Sequence, residues 1–280
     1  MNFSQNINLE NSINSGQVFL WKKDGTKWYG INGCDVVQIE ENSNQIMSYS
    51  NDPMDVFRQS DNLKKILNII NKDKIVQSAV QKFPGLRLLR QDPFQCYISF
   101  IVSSNSSIQK IKHMLNLLCK KFGTKIRYDG KEFFLFPEPK KLANSETNDL
   151  LKCGLGYRAK SVKKASKDVV SGYIDFDFLK KTDYQNARET LLKVFGVGNK
   201  VADCIMLFSL EKLAAFPIDR WILRVLQKHY TKKFESFGKT LTEKKYQSLH
   251  DEIVTHFGPY AGYSQQFLFK MERELSQKNW

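Results

Sequence analysis

Hydrophobic and polar residues alternate in short runs through the first fifty positions, most clearly in QVFLWKKDGTKWYGINGCDVVQIEE. Asp-Gly at 24–25 and Asn-Gly at 32–33 interrupt runs rich in Val, Ile, Phe, Trp and Tyr. Both dipeptides tolerate the positive φ of a tight hairpin turn, so they predict antiparallel strands on either side. QIMSYS at 45–50 is predicted to add a strand, and Pro53 to end the sheet.

From about Asp55 onward the apolar spacing becomes helical. In DPFQCYISFIVSSNSSIQKIKHMLNLLCKKFG, residues 92–123, apolar residues recur every three or four positions on both sides of a polar SSNSS loop. Similar patterns predict helices over 145–153, 159–171, 183–195, 219–230, 243–256 and 261–275. The predicted fold class is α+β: an N-terminal antiparallel β domain, residues 1–80, then a mostly α-helical, two-lobed core, residues 81–280.

Composition narrows the class of protein. The mean hydropathy of −0.43 and the lack of an 18-residue apolar run argue against a membrane span. The first ten residues have no basic start followed by an apolar stretch, which predicts an intracellular protein. The five cysteines are too far apart for a zinc or iron–sulfur motif, and no HExxH pattern is present. We therefore expect no metal centre built from side chains.

The charge balance indicates a polyanionic partner. Lys and Arg number 43 against 29 Asp and Glu, which gives a net charge of +14. Neutralising phosphates with such residues releases condensed counterions, so nucleic acid is the first candidate. The alternative is a compositional bias, because an AT-rich genome also enriches Lys, Asn and Ile.

FGVGNKVADC at 195–204 joins two predicted helices through a Gly-Val-Gly turn. Glycine accepts the backbone angles of a tight turn, and the start of the next helix presents several free N–H groups. Such a surface binds phosphate without side chains. Gly196 and Gly198 therefore predict a helix-hairpin-helix at about 183–210 that holds a DNA backbone; a turn used only for packing is the alternative.

Lys200 falls in the first turn of the second helix, where the helix dipole disfavours its positive charge. A neutral lysine amine is a nucleophile that forms Schiff bases with carbon electrophiles. Two simpler interpretations are a solvated surface lysine and an ion pair with Asp203, three residues along the same face.

Asp219 precedes an apolar helical run and is predicted to cap that helix. The intervening chain is long enough to return to Lys200: a helix over 200–210 rises about 16 Å, and eight extended residues span up to roughly 26 Å. Asp219 can therefore lie beside Lys200 and stabilise a cation there while it caps its helix.

At these residues the sequence resembles the helix-hairpin-helix, Gly/Pro-loop, Asp (HhH-GPD) superfamily of base-excision DNA glycosylases, and within it the 8-oxoguanine DNA glycosylases. The matching segments occur in the family's order and cover most of the chain: SGQVFLW at 15–21, KFPGLRLLRQDPFQC at 82–96, SFIVSSN at 99–105, GLGYRAK at 154–160, FGVGNKVADC at 195–204, FPIDRW at 216–221 and GPYAGYSQQFLF at 258–269.

The resemblance implies a bifunctional enzyme of base excision repair that acts on double-stranded DNA containing 8-oxoguanine. Lys200 would attack C1′ of the damaged nucleotide, expel the base, and form an imine that permits strand cleavage by β-elimination (AP lyase activity). Asp219 would stabilise the positively charged sugar. The base must first be extruded from the helical stack. We expect no cofactor, because the spacing of the cysteines and histidines offers none. No oligomerisation motif is visible, so a monomer is expected. The location would be with the DNA, in the cytoplasm or nucleoid of a prokaryote or the nucleus of a eukaryote.

The resemblance also implies a pocket for the extruded base. The Gly16 carbonyl would accept the hydrogen that N7 carries in 8-oxoguanine, whereas N7 of guanine is itself an acceptor. Cys204 and Phe269 would sandwich the purine, and Gln265 would bond its Watson–Crick edge. Taken without the resemblance, Phe269 is a core residue and Gln265 a polar surface residue.

Three further residues are implied to contact the opened duplex. Tyr157 would enter the stack as a wedge, and Asn105 with Arg158 would read the orphaned cytosine. The respective alternatives are a half-buried core tyrosine, a helix cap and a phosphate contact. Lys110 stands where the family has an arginine that faces the orphaned base, so opposite-base choice is not implied as firmly as excision.

A cation at the hairpin is the last implied feature. In the family, main-chain carbonyls of this turn often bind a monovalent or divalent ion, and here these would belong to Leu192, Val194 and Val197.

Three rival functions are compatible with parts of the sequence. A non-catalytic DNA-binding module accounts for the charge and the hairpin but not for Lys200 with Asp219. A glycosylase for alkylated bases or mismatched adenine shares the fold; the former generally lacks the lysine and the latter usually has a four-cysteine cluster. An RNA-binding protein is supported only by charge and aromatic content.

Overall fold

An antiparallel sheet near the N-terminus confirms the predicted hairpins. The computed structural model describes residues 7–41, 43, 45–52, 54–234 and 242–277. After a short helix, α1, the strands follow in the spatial order β1-β2-β3-β4. Their bounds are α1 Leu9–Ile13, β1 Trp21–Asp24, β2 Lys27–Asn32, β3 Asp35–Glu40 and β4 Gln45–Ser48. Pro53, predicted to end the sheet, lies outside the described residues.

Helices make up most of the rest of the described chain, which confirms the α+β fold class. Their bounds are α2 Leu63–Ile70, α3 Lys74–Lys82, α4 Pro93–Val102, α5 Ile108–Phe122, α6 Pro139–Ala143, α7 Thr147–Lys152, α8 Arg158–Val170, α9 Phe176–Lys181, α10 Tyr184–Leu192, α11 Asn199–Ser209, α12 Arg220–His229, α13 Glu243–Phe257 and α14 Ala261–Gln277, with a 3₁₀ turn at Gly258–Tyr260. No helix among the described residues is both long and apolar enough to cross a membrane.

A second hairpin interrupts the helices and was not predicted. It comprises β5 Lys125–Tyr128 and β6 Lys131–Phe134, which pair antiparallel around an Asp-Gly turn at 129–130. Asp129 accepts hydrogen bonds from Tyr29 and Lys27 of β2, so this hairpin is fastened to the first sheet. Its strands have four residues each, so the polar–apolar alternation of Lys-Ile-Arg-Tyr in β5 is too brief to be a strong signal.

Two helix predictions need correction at their ends. The helix predicted over 183–195 stops at Leu192, because the chain must turn before Gly196, which has φ +90°. The segment predicted as one helix over 145–153 is helical only from Thr147 to Lys152.

The main hydrophobic core surrounds α4 and α11. It positions α11, which carries Lys200. Every residue of α11 from Val201 to Ser209 is buried, as is every residue of α4 from Phe94 to Val102. Phe100 of α4 stacks on Phe208 of α11, with ring centroids 5.4 Å apart. This pair joins the C-terminal end of α11 to α4.

Candidate active site

Lys200 lies in the first turn of α11, at the edge of the core. Its Nζ donates a hydrogen bond to Oγ of Ser103 at 3.3 Å, where α4 ends. The same ammonium lies 5.0 Å from the centroid of the Phe100 ring. The side chain is half-buried. An aromatic ring and a hydroxyl thus hold the Lys200 side chain, and neither of these groups is a carboxylate.

Asp203 does not pair with Lys200, which corrects one of the sequence interpretations. The Asp203 side chain is fully buried and accepts hydrogen bonds from Tyr184 of α10, at 2.7 Å, and from Tyr246 of α13. His250 contacts the Tyr184 hydroxyl at 2.9 Å. Position i+3 from Lys200 points into the core here, so the carboxylate fixes three helices together. Among the described residues, no carboxylate forms an ion pair with Lys200.

Asp219 caps α12, as predicted. Its Oδ1 accepts hydrogen bonds from the backbone N–H groups of Trp221 and Ile222, both at 2.9 Å. Burial raises the pKa of Asp219, and the opposing influences include the N–H of Ile222 and the charge of Lys200. The two predicted catalytic groups therefore lie within electrostatic reach of each other.

Gly16 sits where a side chain would be both crowded and strained. It has φ +83°, and a Cβ atom would lie 3.0 Å from Cε1 of Phe269 and 3.1 Å from Nη1 of Arg273. The structure thus brings Gly16 and Phe269 together, although more than 250 residues separate them in the sequence.

The backbone carbonyls of the residues before and after Gly16 both accept hydrogen bonds. The Ser15 carbonyl accepts from Gln266 at 2.9 Å, and the Gln17 carbonyl accepts from Gln91 at 2.8 Å. The Gly16 carbonyl between them accepts no hydrogen bond from the part of the chain that the structure describes. The loop is therefore fixed in position and keeps one acceptor available.

Cys204 and Gln265 contribute a thiol and an amide. Cys204 is buried one turn after Lys200, and burial raises the pKa of its thiol to about 12 although the charge of Lys200 opposes that shift. Gln265 is also buried; its Nε2 donates to the Pro217 carbonyl at 3.1 Å, two residues before Asp219. Its Oε1 is buried without a partner in the described structure. The interpretation of Gln265 as a surface residue is wrong.

Tyr157, Arg158 and Asn105 form one cluster on the surface. Tyr157 is 64% exposed, so it is not a core residue. The Arg158 guanidinium lies 4.5 Å from the centroid of the Tyr157 ring, and it donates to the carbonyls of Ser104 at 2.9 Å and Asn105 at 3.3 Å. Asn105 is exposed with φ +50°, and Ser107 rather than Asn105 caps α5. The helix-cap interpretation of Asn105 is therefore wrong.

The two hairpin glycines have different surroundings. A Cβ on Gly196 would lie 2.5 Å from the Ser161 hydroxyl of α8, so this exposed glycine permits close packing of the turn on α8. Gly198 is the N-cap of α11 in an extended conformation, and a Cβ there would meet open space. The surface beside Gly198, at the start of α11, is therefore open.

The same turn carries the carbonyls of Leu192, Val194 and Val197. Val194 accepts a hydrogen bond from the N–H of Val197 at 3.1 Å, whereas the described backbone makes no turn hydrogen bond to the carbonyls of Leu192 and Val197. Carbonyl oxygens suit hard cations, so the donor set fits such an ion. No group of three or more His, Cys, Asp or Glu side chains in the described residues is arranged for a metal.

Ser103, Phe100 and Arg273 also contact the site and were not singled out in the sequence. Ser103 falls in the polar SSNSS loop, and no local signal distinguishes Phe100 from the other apolar residues of α4. Arg273 could have been found, because it follows Phe269 by one helical turn and so shares its face.

Comparison with known proteins gives a consistent result along the chain. Residues 1–97 match the family model for the N-terminal domain of 8-oxoguanine DNA glycosylase, and residues 98–249 match the HhH-GPD superfamily of base excision DNA repair proteins. The N-glycosylase/DNA lyase OGG1 of Arabidopsis thaliana is 30% identical over 285 residues, which covers 95% of this chain and 77% of that protein. A probable N-glycosylase/DNA lyase of Methanothermobacter thermautotrophicus is 31% identical over 222 residues, 72% of this chain and 68% of that one.

Comparison with solved structures also points to DNA glycosylases. The Clostridium acetobutylicum 8-oxoguanine glycosylase/lyase, in complex with double-stranded DNA containing cytosine opposite 8-oxoguanine, superposes with a TM-score of 0.86 at 31% identity, covering 97% of this chain and 93% of that one. A 3-methyladenine DNA glycosylase from Archaeoglobus fulgidus shares the fold, with a TM-score of 0.75 at 16% identity over 98% of each chain. The chain therefore belongs to the 8-oxoguanine DNA glycosylase family, within the HhH-GPD superfamily of base excision DNA repair proteins.

Proposed function

We propose that this protein is a bifunctional DNA glycosylase that excises 8-oxoguanine from duplex DNA and then cleaves the strand. The observation that carries the proposal is the pairing of Lys200, which has no carboxylate partner among the described residues, with Asp219 within electrostatic reach. Two relatives that this chain covers to 68% and 77% of their length are named N-glycosylase/DNA lyases, the first of them as probable. Strand cleavage through an imine needs an amine such as that of Lys200.

The chemistry would begin with the neutral amine of Lys200. Its lone pair forms a bond to C1′ while the C1′–N9 bond breaks, and the bonding electrons leave with the base, which takes up a proton. The Asp219 carboxylate stabilises the positive charge that the sugar carries meanwhile. Opening of the sugar ring yields an imine; loss of a C2′ proton then expels the 3′ phosphate, and water releases the lysine.

Lesion recognition would rest on the free carbonyl of Gly16. In 8-oxoguanine N7 bears a hydrogen and can donate to it, whereas N7 of guanine is an acceptor. A buried acceptor left facing another acceptor costs about 1–3 kcal/mol. Cys204 and Phe269 would sandwich the purine, and the unpartnered Oε1 of Gln265 would accept from its Watson–Crick edge.

The duplex would be held by the surface cluster and the hairpin. The exposed Tyr157 is suited to enter the stack, with Asn105 and Arg158 beside the orphaned base. The turn from Gly196 to Gly198 would receive a phosphate on its N–H groups.

A cation on the carbonyls of Leu192, Val194 and Val197 would add positive charge beside that phosphate. The protein would act as a monomer where its DNA lies, in the nucleoid of a prokaryotic cell or the nucleus of a eukaryotic one.

Borohydride trapping tests the proposal. The protein is incubated with duplexes that carry 8-oxoguanine opposite each of the four bases, and with an undamaged duplex. We expect a covalent protein–DNA adduct on the lesion duplexes alone, and its yield ranks the opposite-base preference. Lys200→Gln should give no adduct and no excision yet still bind the lesion duplex; full turnover by that variant would rule out the lysine mechanism.

A further inference from the structure

Arg273 is placed against two parts of the proposed base pocket. It lies on α14 one turn after Phe269, and its guanidinium carbon is 5.4 Å from the centroid of the Phe269 ring. Its Nη1 is 3.1 Å from the point where a Cβ of Gly16 would lie. A guanidinium thus borders both the ring proposed to stack on the base and the loop proposed to read N7.

The Arg273 guanidinium forms no hydrogen bond and no ion pair with any of the described residues. The contrast is Lys270, on the same helix, whose ammonium pairs with Glu274 at 3.2 Å. Arg273 and Gly16 line a cavity of about 320 Å³ together with Ile108. Arginine carries five N–H donors and stays charged, so a half-buried and unpaired arginine beside a cavity is suited to an oxygen-rich ligand.

Charges of both signs line this cavity, because Glu10, Glu274 and Lys270 border it as well as Arg273. Glu274 is paired with Lys270, whereas Arg273 has no such partner among the described residues. Lys112 lines the same cavity, and burial together with the charge of Arg273 lowers the pKa of Lys112. Burial also lowers the pKa of Arg273, while the charge of Asp219 opposes that shift. Arg273 is therefore part of the electrostatic surroundings of the proposed reacting centre.

We infer that Arg273 is a catalytic residue that donates hydrogen bonds to a carbonyl oxygen of the extruded oxidised purine. This inference rests on the proposed function. In 8-oxoguanine a carbonyl lies on each side of N7, so a donor beside Gly16 reaches one of them. As the C1′–N9 bond breaks, its electron pair passes to the base and spreads onto these oxygens. The guanidinium then stabilises the leaving base before that base is protonated.

Two substrates separate this role from a contact with the DNA backbone. Excision needs the base, whereas cleavage of a duplex with a preformed abasic site uses the same Lys200 chemistry without any base. Arg273→Met should slow single-turnover excision by about 10- to 100-fold. Its cleavage of the abasic duplex and its affinity for that duplex should stay within about two-fold of the unmodified protein.

Lys270→Met is the matched control, because it removes the same charge from the same helix and from the lining of the same cavity, at a residue whose ammonium is already paired with Glu274. It should leave both reactions unchanged. Arg273→Lys keeps the charge but not the planar fork, and should recover part of the excision rate. If Arg273→Met proves too unstable to assay, slower excision with normal abasic cleavage by Arg273→Lys gives the same support.

Unchanged excision by Arg273→Met, or an equal loss on both substrates, would overturn the inference. The equal loss would indicate a phosphate contact or a scaffolding role. Failure of the unmodified protein to excise 8-oxoguanine is a separate result, since it would contradict the proposed function itself.

Discussion

Asp219 has two effects on the protein that oppose each other. As an N-cap it satisfies two N–H groups of α12, and such caps contribute about 1 kcal/mol. As a buried carboxylate it has a raised pKa, so its ionised form is disfavoured in the folded state. The folded-state pKa exceeds the unfolded one, hence stability from this group is complete at low pH and is lost as the pH rises through the folded pKa.

Asp219→Asn should therefore separate chemistry from stability. Asparagine caps as well as aspartate, so the cap is retained and the cost of ionisation disappears. We expect excision to fall by about 100- to 1000-fold, with a thermal midpoint at or above that of the unmodified protein at pH 7. The advantage in midpoint should shrink as the pH falls through the raised pKa of Asp219, because the carboxyl of the unmodified protein then becomes protonated. A variant that melts lower at pH 7 would show that the ionised carboxylate stabilises the fold.

Sequence reasoning located individual residues unevenly. Asp219 was predicted as a cap, since a carboxylate before an apolar run is a local signal. Asp203 was misjudged because shared spacing on a helix does not tell which part of that face enters the core. The Gly16 carbonyl could be proposed only through the family resemblance, because no local pattern brings residue 16 beside residue 269.

At the scale of elements, the hairpin shows that one sequence motif serves two purposes. Gly196 allows close packing on Ser161, whereas Gly198 has open space beside it. The first glycine is needed by the fold, and the second leaves the surface of the turn clear.

Alanine at each glycine should distinguish these purposes. Gly196→Ala places a side chain at positive φ against Ser161 and should destabilise the fold by about 1–3 kcal/mol. Gly198→Ala should fold normally but bind duplex DNA more weakly, because its methyl group stands where a phosphate would approach. Thermal unfolding and duplex affinity measured on both variants test this; normal affinity in a well-folded Gly198→Ala would show that the turn does not contact the backbone.

Elements themselves were predictable where the local signal was strong. The Asp-Gly and Asn-Gly turns of the first sheet were found, yet the Asp-Gly turn at 129–130 was overlooked because its strands are four residues each. The division between domains at residue 80 stays a prediction.

Across the whole molecule, positive charge is placed next to the proposed DNA contacts. Helix α8 carries exposed lysines at 160, 164 and 167, and it begins beside Tyr157. The Lys164 ammonium lies 5.5 Å from the centroid of the Phe195 ring, at the hairpin turn. These three lysines lie between the surface cluster and the hairpin. Part of the positive charge that gives the chain its net +14 is therefore on the side proposed to contact DNA.

Binding of undamaged duplex should consequently depend steeply on salt. Each phosphate contact adds about −0.9 to the slope of log affinity against log salt concentration. Contact with about five phosphates predicts a loss of roughly 500-fold between 50 and 200 mM salt. Fluorescence anisotropy across that range measures the slope, and a slope near zero would place this charge away from DNA.

The burial of Cys204 also affects how easily the proposed base pocket is oxidised. A thiol whose pKa is about 12 exists as thiolate in only about one molecule in 10⁵ at neutral pH. Peroxides react with the thiolate rather than the thiol. Peroxide would therefore oxidise this wall of the pocket only slowly, so the enzyme would keep its base pocket during peroxide stress.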